Sequence, residues 1–335
     1  MKLRRVLAGA AAGLGGVAAA NRLLRTAAKP LDPPLDGETG TYRWRGLDVA
    51  YVEAGDPDDP TLVLLHGVNA AASAGEFREV FDRLAETHHV VAPDLPGFGR
   101  SERPPLSYSA ALYEDFVADF LDEYDRPAVL ASGVTSAYVA AAVDGGAPVE
   151  SLTLICPTAV AGPDRIEPLR ELFRAPLVGT ALFNLLVSKP AIRYFNADHG
   201  YYDVDRLRES WVDYEWQTAH QPGARYAPAS FISGFLNSDL DLGRALAGAD
   251  VPVTLVWGRE AEVTPLADGR DLAENADARL VVLDDAKLLP HVEFPDAVLD
   301  ALDRDLPGGT GAPGGAPAGE GTVTEEGSGS ADATA

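Results

Sequence analysis

Short apolar runs alternate with stretches of helical period across this chain, and that alternation leaves few folds open. The runs at 41–45, 49–53, 61–65, 90–93, 128–131, 152–156, 253–257 and 280–283 are too short for helices, and most are too continuous for a strand with one wet face. Between them, 75–86, 109–124, 136–143, 265–275 and 295–302 read as helices. The pattern predicts an α/β fold with a mostly parallel eight-stranded sheet. Its first two strands, joined at Gly46, form an antiparallel hairpin. From about 158 to 250 no strand-like run appears, only amphipathic helical pattern rich in aromatics. So long an insertion after the sixth strand is most simply a helical cap over the C-terminal edge of the sheet, where open α/β sheets hold ligands.

The ends obey other rules. Residues 307–335 are Gly, Pro and small polar residues without apolar period, which predicts disorder. Residues 27–40 are a Pro-rich connector. The expected organisation is a basic apolar segment and linker over 1–40, a core over 41–157 and 251–306, a cap over 158–250 and a tail. A lone cysteine, Cys156, excludes a disulfide framework.

Charge is lopsided. The net charge is −24, with Lys2, Lys29, Lys189 and Lys287 as the only lysines. Acidity with so little lysine resembles proteins of salt-accumulating halophiles; at roughly 1 M salt the Debye length is about 3 Å, so crowded surface carboxylates repel weakly. No basic stripe exists in the globular part to meet phosphates, which argues against nucleic acid. Residues 1–31 instead carry Lys2, Arg4, Arg5, Arg22, Arg25 and Lys29 with no acid; this +6 leaves −30 for the remainder. Between the basic clusters, "VLAGAAAGLGGVAAA" (6–20) would reach about 22 Å as a helix, against a hydrocarbon core of roughly 30 Å. Three readings stay open for this segment: a signal peptide cut after 18–20, a membrane anchor or surface-lying helix, and a soluble helix or tail. A cytoplasmic or membrane-associated location through 1–31 is expected ahead of secretion.

Four motifs occur in order: "LVLLHGVNAAAS" from Leu62, "VVAPDLPGFGRSERP" from Val90, "WGREAEVTP" from Trp257 and "LLPHVEFP" from Leu288. In the second, Asp94, Gly97, Gly99 and Ser101 form a turn set in which Asp94 can accept loop amides. Together the motifs resemble the capped α/β-hydrolase superfamily, in its branch of esterases and carbon–carbon bond hydrolases, over about 41–303. The resemblance implies the α/β-hydrolase fold, with flanking helices and a cap. It also implies an oxyanion hole using the Val68 amide after the His66-Gly67 turn, and a nucleophile–acid–base triad.

The triad positions depart from that pattern. The family elbow reads G-x-S-x-G; in "SGVTSAYVAAAV" Gly133 and Ala137 as the small positions put Thr135 at the nucleophile. Using Ser132 and Ser136 instead puts Val134 there. The first register is preferred because it leaves Tyr138 to begin the helix, and it makes the Ser136 amide the second oxyanion donor. At the acid position stands Ala261, flanked by Glu260 and Glu262; at the base position stands Leu288, with His291 three residues on. A displaced relay would need His291, with Glu260 or Glu262, to reach Thr135 within about 3 Å.

No His-x-x-x-His or Cys cluster suggests a metal, no phosphate loop is present and no cofactor is expected. Cap aromatics such as Tyr201, Trp211 and Trp216 should mostly pack the cap, the rest lining an apolar pocket. The favoured reading is a fold that lost its triad and binds a small apolar ligand. The alternatives are an active hydrolase of ester or related bonds built on Thr135 and His291, and a membrane-tethered interaction protein. Ligand identity and oligomeric state are not written in the sequence.

Overall fold

The computed structural model describes residues 2–303, Leu306 and Val323–Glu326. Nine strands, β1 (Glu38–Trp44), β2 (Leu47–Ala54), β3 (Thr61–Leu65), β4 (His89–Pro93), β5 (Ala128–Ser132), β6 (Ser151–Ile155), β7 (Val253–Gly258), β8 (Arg279–Leu283) and β9 (Val323–Glu326), form one sheet in the order β1-β2-β4-β3-β5-β6-β7-β8-β9. The helices in chain order are α1 (Lys2–Ala27), α2 (Phe81–Leu84), α3 (Ala110–Leu121), α4 (Thr135–Asp144), α5 (Glu167–Arg174), α6 (Val178–Leu186) and α7 (Lys189–Phe195), then α8 (Glu209–Ala219), α9 (Tyr226–Ile232), α10 (Leu242–Ala247), α11 (Leu266–Ala276), α12 (Pro290–Glu293) and α13 (Pro295–Leu302).

Burial explains the strand sequences. β5, β6 and β7 are buried at every residue, because helices cover both faces of a parallel sheet, whereas the edge strand β1 is mostly exposed. The β1–β2 hairpin turns through Arg45 and Gly46, both at positive φ, a geometry whose twist matches the strands it joins. On one face α3 packs against α4, and Tyr108, Tyr113 and Tyr138 stack in sequence there. Ser109 caps α3 by accepting the Leu112 amide at 3.3 Å.

Three expectations change. The helix read over 75–86 is instead a 3₁₀ turn, Ala74–Phe77, followed by α2, since tertiary bonds seize the segment: Ala74 N–H donates to Asp94 and Glu76 accepts from Gly67. α10 falls within the 158–250 insertion but packs on α4 and α11, beside the sheet. The tail expected to be disordered over 307–335 lies outside the described residues except at Val323–Glu326, which pair antiparallel with β8 and add a ninth strand.

Between β6 and β7 the chain runs through α5 to α10. α1 packs on α6; Asn21 Nδ2 donates to Leu177 O and Asn184 Nδ2 to Asn21 Oδ1, each at 3.0 Å. No described helix is long and apolar enough to cross a membrane. The order β4-β3-β5 reverses direction at β3, so the loops after β3 and β5 diverge and leave a crevice at their C-terminal ends.

Candidate functional site

A cavity of about 470 Å³ fills that crevice, lined from the sheet by Gly67, Val68, Ser132, Gly133 and Val134 and from the helical insertion by residues such as Leu186, Ile192 and Phe195. The turn from β5 into α4 decides its chemistry. The one residue of this turn in the left-handed region is Gly133, at φ +57; Val134 already has helical angles and Thr135 begins α4. A Cβ built on Gly133 would meet nothing within 4 Å, so the apex of the turn opens onto empty space.

Thr135 therefore stands two residues past the apex, inside the helix. It is fully buried, does not line the cavity, and its hydroxyl donates to His66 O at 2.8 Å. Ser136 is equally displaced from its expected role: its amide donates to Gly133 O and its hydroxyl to Ala131 O. "SGVTSA" offers small residues in several registers, and only the sign of φ, positive at Gly133, separates them. Val68 does line the cavity, and the amide following the apex is that of Val134. Neither amide donates to another described residue.

A bonded frame supports these loops. His66 Nδ1–H donates to Gly67 O at 2.7 Å while Nε2 accepts the Leu95 amide at 3.0 Å, which fixes the tautomer. Asp94 accepts from Ala74 N and Arg100 N, both at 2.8 Å, and Ser101 Oγ donates to Asp94 O at 2.5 Å. Asp94 thus performs the loop-fastening role its turn sequence suggests.

At the other expected positions the side chains are apolar. Ala261 is buried beyond β7, and Leu288, in the loop after β8, lines the cavity. Lys287 beside it donates through Nζ to Ala197 O and Asp198 O at 3.0 and 2.9 Å, and Leu288 N to His199 O at 3.4 Å. Glu293 accepts the amides of Tyr202 and Asp203. The loop that would carry a base is instead a latch to the insertion.

His291 does not join Thr135, Glu260 or Glu262. Glu260 accepts the Ala286 amide, with burial, the largest cause, raising its carboxyl above the ordinary value, and Glu262 is exposed. The partner of His291 is Glu76, which sequence reasoning missed. His291 is fully buried, its Nε2 is 3.5 Å from Glu76 Oε1, and neither ring nitrogen makes a hydrogen bond. Glu76 lines the cavity and accepts the Gly67 amide through Oε2 at 2.9 Å, leaving Oε1 without a hydrogen bond. Ser132 Oγ and Glu76 Oε2 each lie 3.3 Å from where a Gly67 Cβ would stand. Burial would raise the Glu76 carboxyl; His291, Ser132 and His66 outweigh it and hold it below its ordinary value. The available signal was an acid between Gly75 and Phe77, in an otherwise apolar turn.

A second carboxylate enters from the insertion. Glu215 on α8 lines the cavity and is pushed up to about 7 by burial, against a 2.8 Å bond from Asn196 Nδ2 and the charge of Arg78. Cys156 also lines the cavity, but burial pushes its thiol up to about 12, so it is protonated and weakly nucleophilic at neutral pH. No group of three or more His, Cys, Asp or Glu able to hold a metal occurs among the described residues.

A family model described as the alpha/beta hydrolase family matches residues 62–301. Among curated proteins, an uncharacterized hydrolase of Saccharomyces cerevisiae is 48% identical over 59 residues, covering 18% of this chain and only 20% of the yeast protein. A non-heme chloroperoxidase of Streptomyces lividans is 28% identical over 278 residues, covering 78% of this chain and 95% of that protein. The solved 2-hydroxy-6-oxo-6-phenylhexa-2,4-dienoate hydrolase from Rhodococcus sp. superposes with a TM-score of 0.64 at 23% identity, covering 80% of this chain and 98% of that one.

Proposed function

The chain belongs to the alpha/beta hydrolase family, and from that membership we propose that it binds a small apolar molecule between sheet and cap without hydrolysing it. One observation carries the reading: the left-handed apex of the elbow is Gly133, whose missing side chain faces open cavity. At that place the family sets a nucleophile, and a glycine has no atom with which to attack. Ala261 and Leu288 at the acid and base positions agree with it. The residual cavity keeps its volume and its amides, which suits binding, and its apolar walls suit a ligand with little polarity. Enzymes that lose a triad member fall by several orders of magnitude, so amides alone supply slight turnover.

The test has two arms. An environment-sensitive apolar fluorophore should bind the purified protein and be excluded when Leu288→Glu puts a charge in the cavity wall. A fluorophosphonate probe and a panel of activated esters should give no labelling and no turnover. Stoichiometric labelling would overturn the proposal.

A second reading has one observation in its favour: Ser132, Glu76 and His291 bring a hydroxyl, a carboxylate and an imidazole together at the cavity end. Such a set suits proton transfer or a displaced hydrolytic relay. It expects turnover lost in both Glu76→Gln and Ser132→Ala, which the ester panel also reads.

A further inference from the structure

We propose that this protein docks on an anionic lipid surface through the face formed by the C-terminal half of α1 with α5, α6 and α7. Among the described residues, every exposed large apolar side chain except Leu106 and Val263 lies on α1 or between β6 and β7. Isolated exposed leucines need no explanation, whereas their confinement to one region marks an interaction surface. Leu23 is 69% exposed, Leu185 71% and Tyr194 61%. α6 packs on α1, α5 and α7, so these residues sit on adjoining elements. Its stretch "APLVGTALFNLLVS", 175–188, holds no charged residue, in a chain with net charge −24.

Charge selects the partner. A groove of about 320 Å³ is lined by Asn21, Arg22 and Arg25 of α1, by Asn184 of α6, and by His220 and Arg225, with no carboxylate in its wall. The buried Nε of Arg225 has no hydrogen-bond partner. A guanidinium N–H left unpaired in an arginine-lined groove fits the phosphate of a lipid headgroup. Arg22 and Arg25 bring positive charge to this side. Everywhere else the surplus of acid is repelled by anionic headgroups, which orients the protein with α1 and α6 toward the bilayer. Since α1 is not apolar enough to cross, it lies along the interface with Leu14 and Leu23 toward lipid and Asn21 toward α6.

Flotation of the full chain tests this, in the lowest salt at which circular dichroism shows it folded. Wild type should float with phosphatidylcholine vesicles containing phosphatidylglycerol, and about tenfold less with phosphatidylcholine alone. Leu185→Glu/Tyr194→Glu and Arg22→Glu/Arg25→Glu, all at exposed positions, should each lower recovery about tenfold with an unchanged melting temperature. No wild-type recovery with anionic vesicles overturns the proposal. So does full recovery of Leu185→Glu/Tyr194→Glu, which would leave only an N-terminal tether. Release by millimolar inorganic phosphate overturns it too, assigning the groove to free phosphate.

Discussion

Two sides of one crevice are built on opposite terms. On the His66–Asp94 side the principal polar groups are paired: His66 spends both ring nitrogens, and Asp94 spends both carboxylate oxygens and its carbonyl. On the Gly133 side the turn apex is a glycine and Ala261 and Leu288 are apolar, while Glu76 Oε1 and both nitrogens of His291 have no hydrogen-bond partner. The difference separates the polar groups that hold the loops from those left unbonded at the cavity. Buried polar groups survive where they fasten backbone, because an unpaired buried amide or carboxylate costs about 1–3 kcal/mol. On the other side, Lys287 and Leu288 close the insertion onto the sheet through bonds to the backbone of Ala197, Asp198 and His199.

The comparison breaks most visibly if the chemistry can be put back. In Gly133→Ser/Ala261→Asp/Leu288→His the intact frame should support ester hydrolysis about 10²-fold or more above wild type, measured with p-nitrophenyl acetate. A parallel variant with Thr135→Ser in place of Gly133→Ser should gain nothing, since residue 135 lies inside α4 with its hydroxyl turned to His66 O. Equal gains from both would refute the Gly133 apex. Next in size, Asp94→Ala should cost about 3 kcal/mol in urea unfolding by orphaning two loop amides. Leu288→Ala, at a half-buried cavity wall, should cost about 1 kcal/mol. If Leu288 proves the costlier of the two, the division between fastening side and reacting side fails.

Residue by residue, legibility in the sequence followed how local each signal was. The alternation that built β3 to β8, and the Asp94–Ser101 turn, were readable because period and turn chemistry are local properties. The apolar residues Ala261 and Leu288 were readable because the family resemblance says which residue types to expect at those positions. The apex was not: Gly133 and Thr135 sit in a run of small residues, and a positive φ is set by how β5 meets α4. Glu76 was invisible for another reason, since one acid among many becomes singular only when folding buries it against His291. β9 was missed because "VTEE" gains strand geometry only from pairing with β8.

The smallest effect sharpens the contrast from the insertion side. Glu215 enters the cavity from α8 with its carboxyl raised to about 7, so the folded protein holds a proton that the unfolded chain, near the ordinary value of 4.5, has already released. Between those values the folded state binds more protons than the unfolded one, and stability falls as pH rises through the window. The loss is complete above the folded value, on the order of 3 kcal/mol. Glu215→Gln keeps the shape and the approach of Asn196 while removing the titration, and should flatten the fall in unfolding free energy between pH 5 and 8. Glu76→Gln should not, because a carboxyl held below its ordinary value has the opposite sign: it contributes stability above the unfolded value and loses it as pH falls through the folded one. An unaltered pH profile in Glu215→Gln would mean that water or Arg78 already solvates this carboxylate. The cavity would then be polar on its insertion side, and the division between its two walls would lie elsewhere.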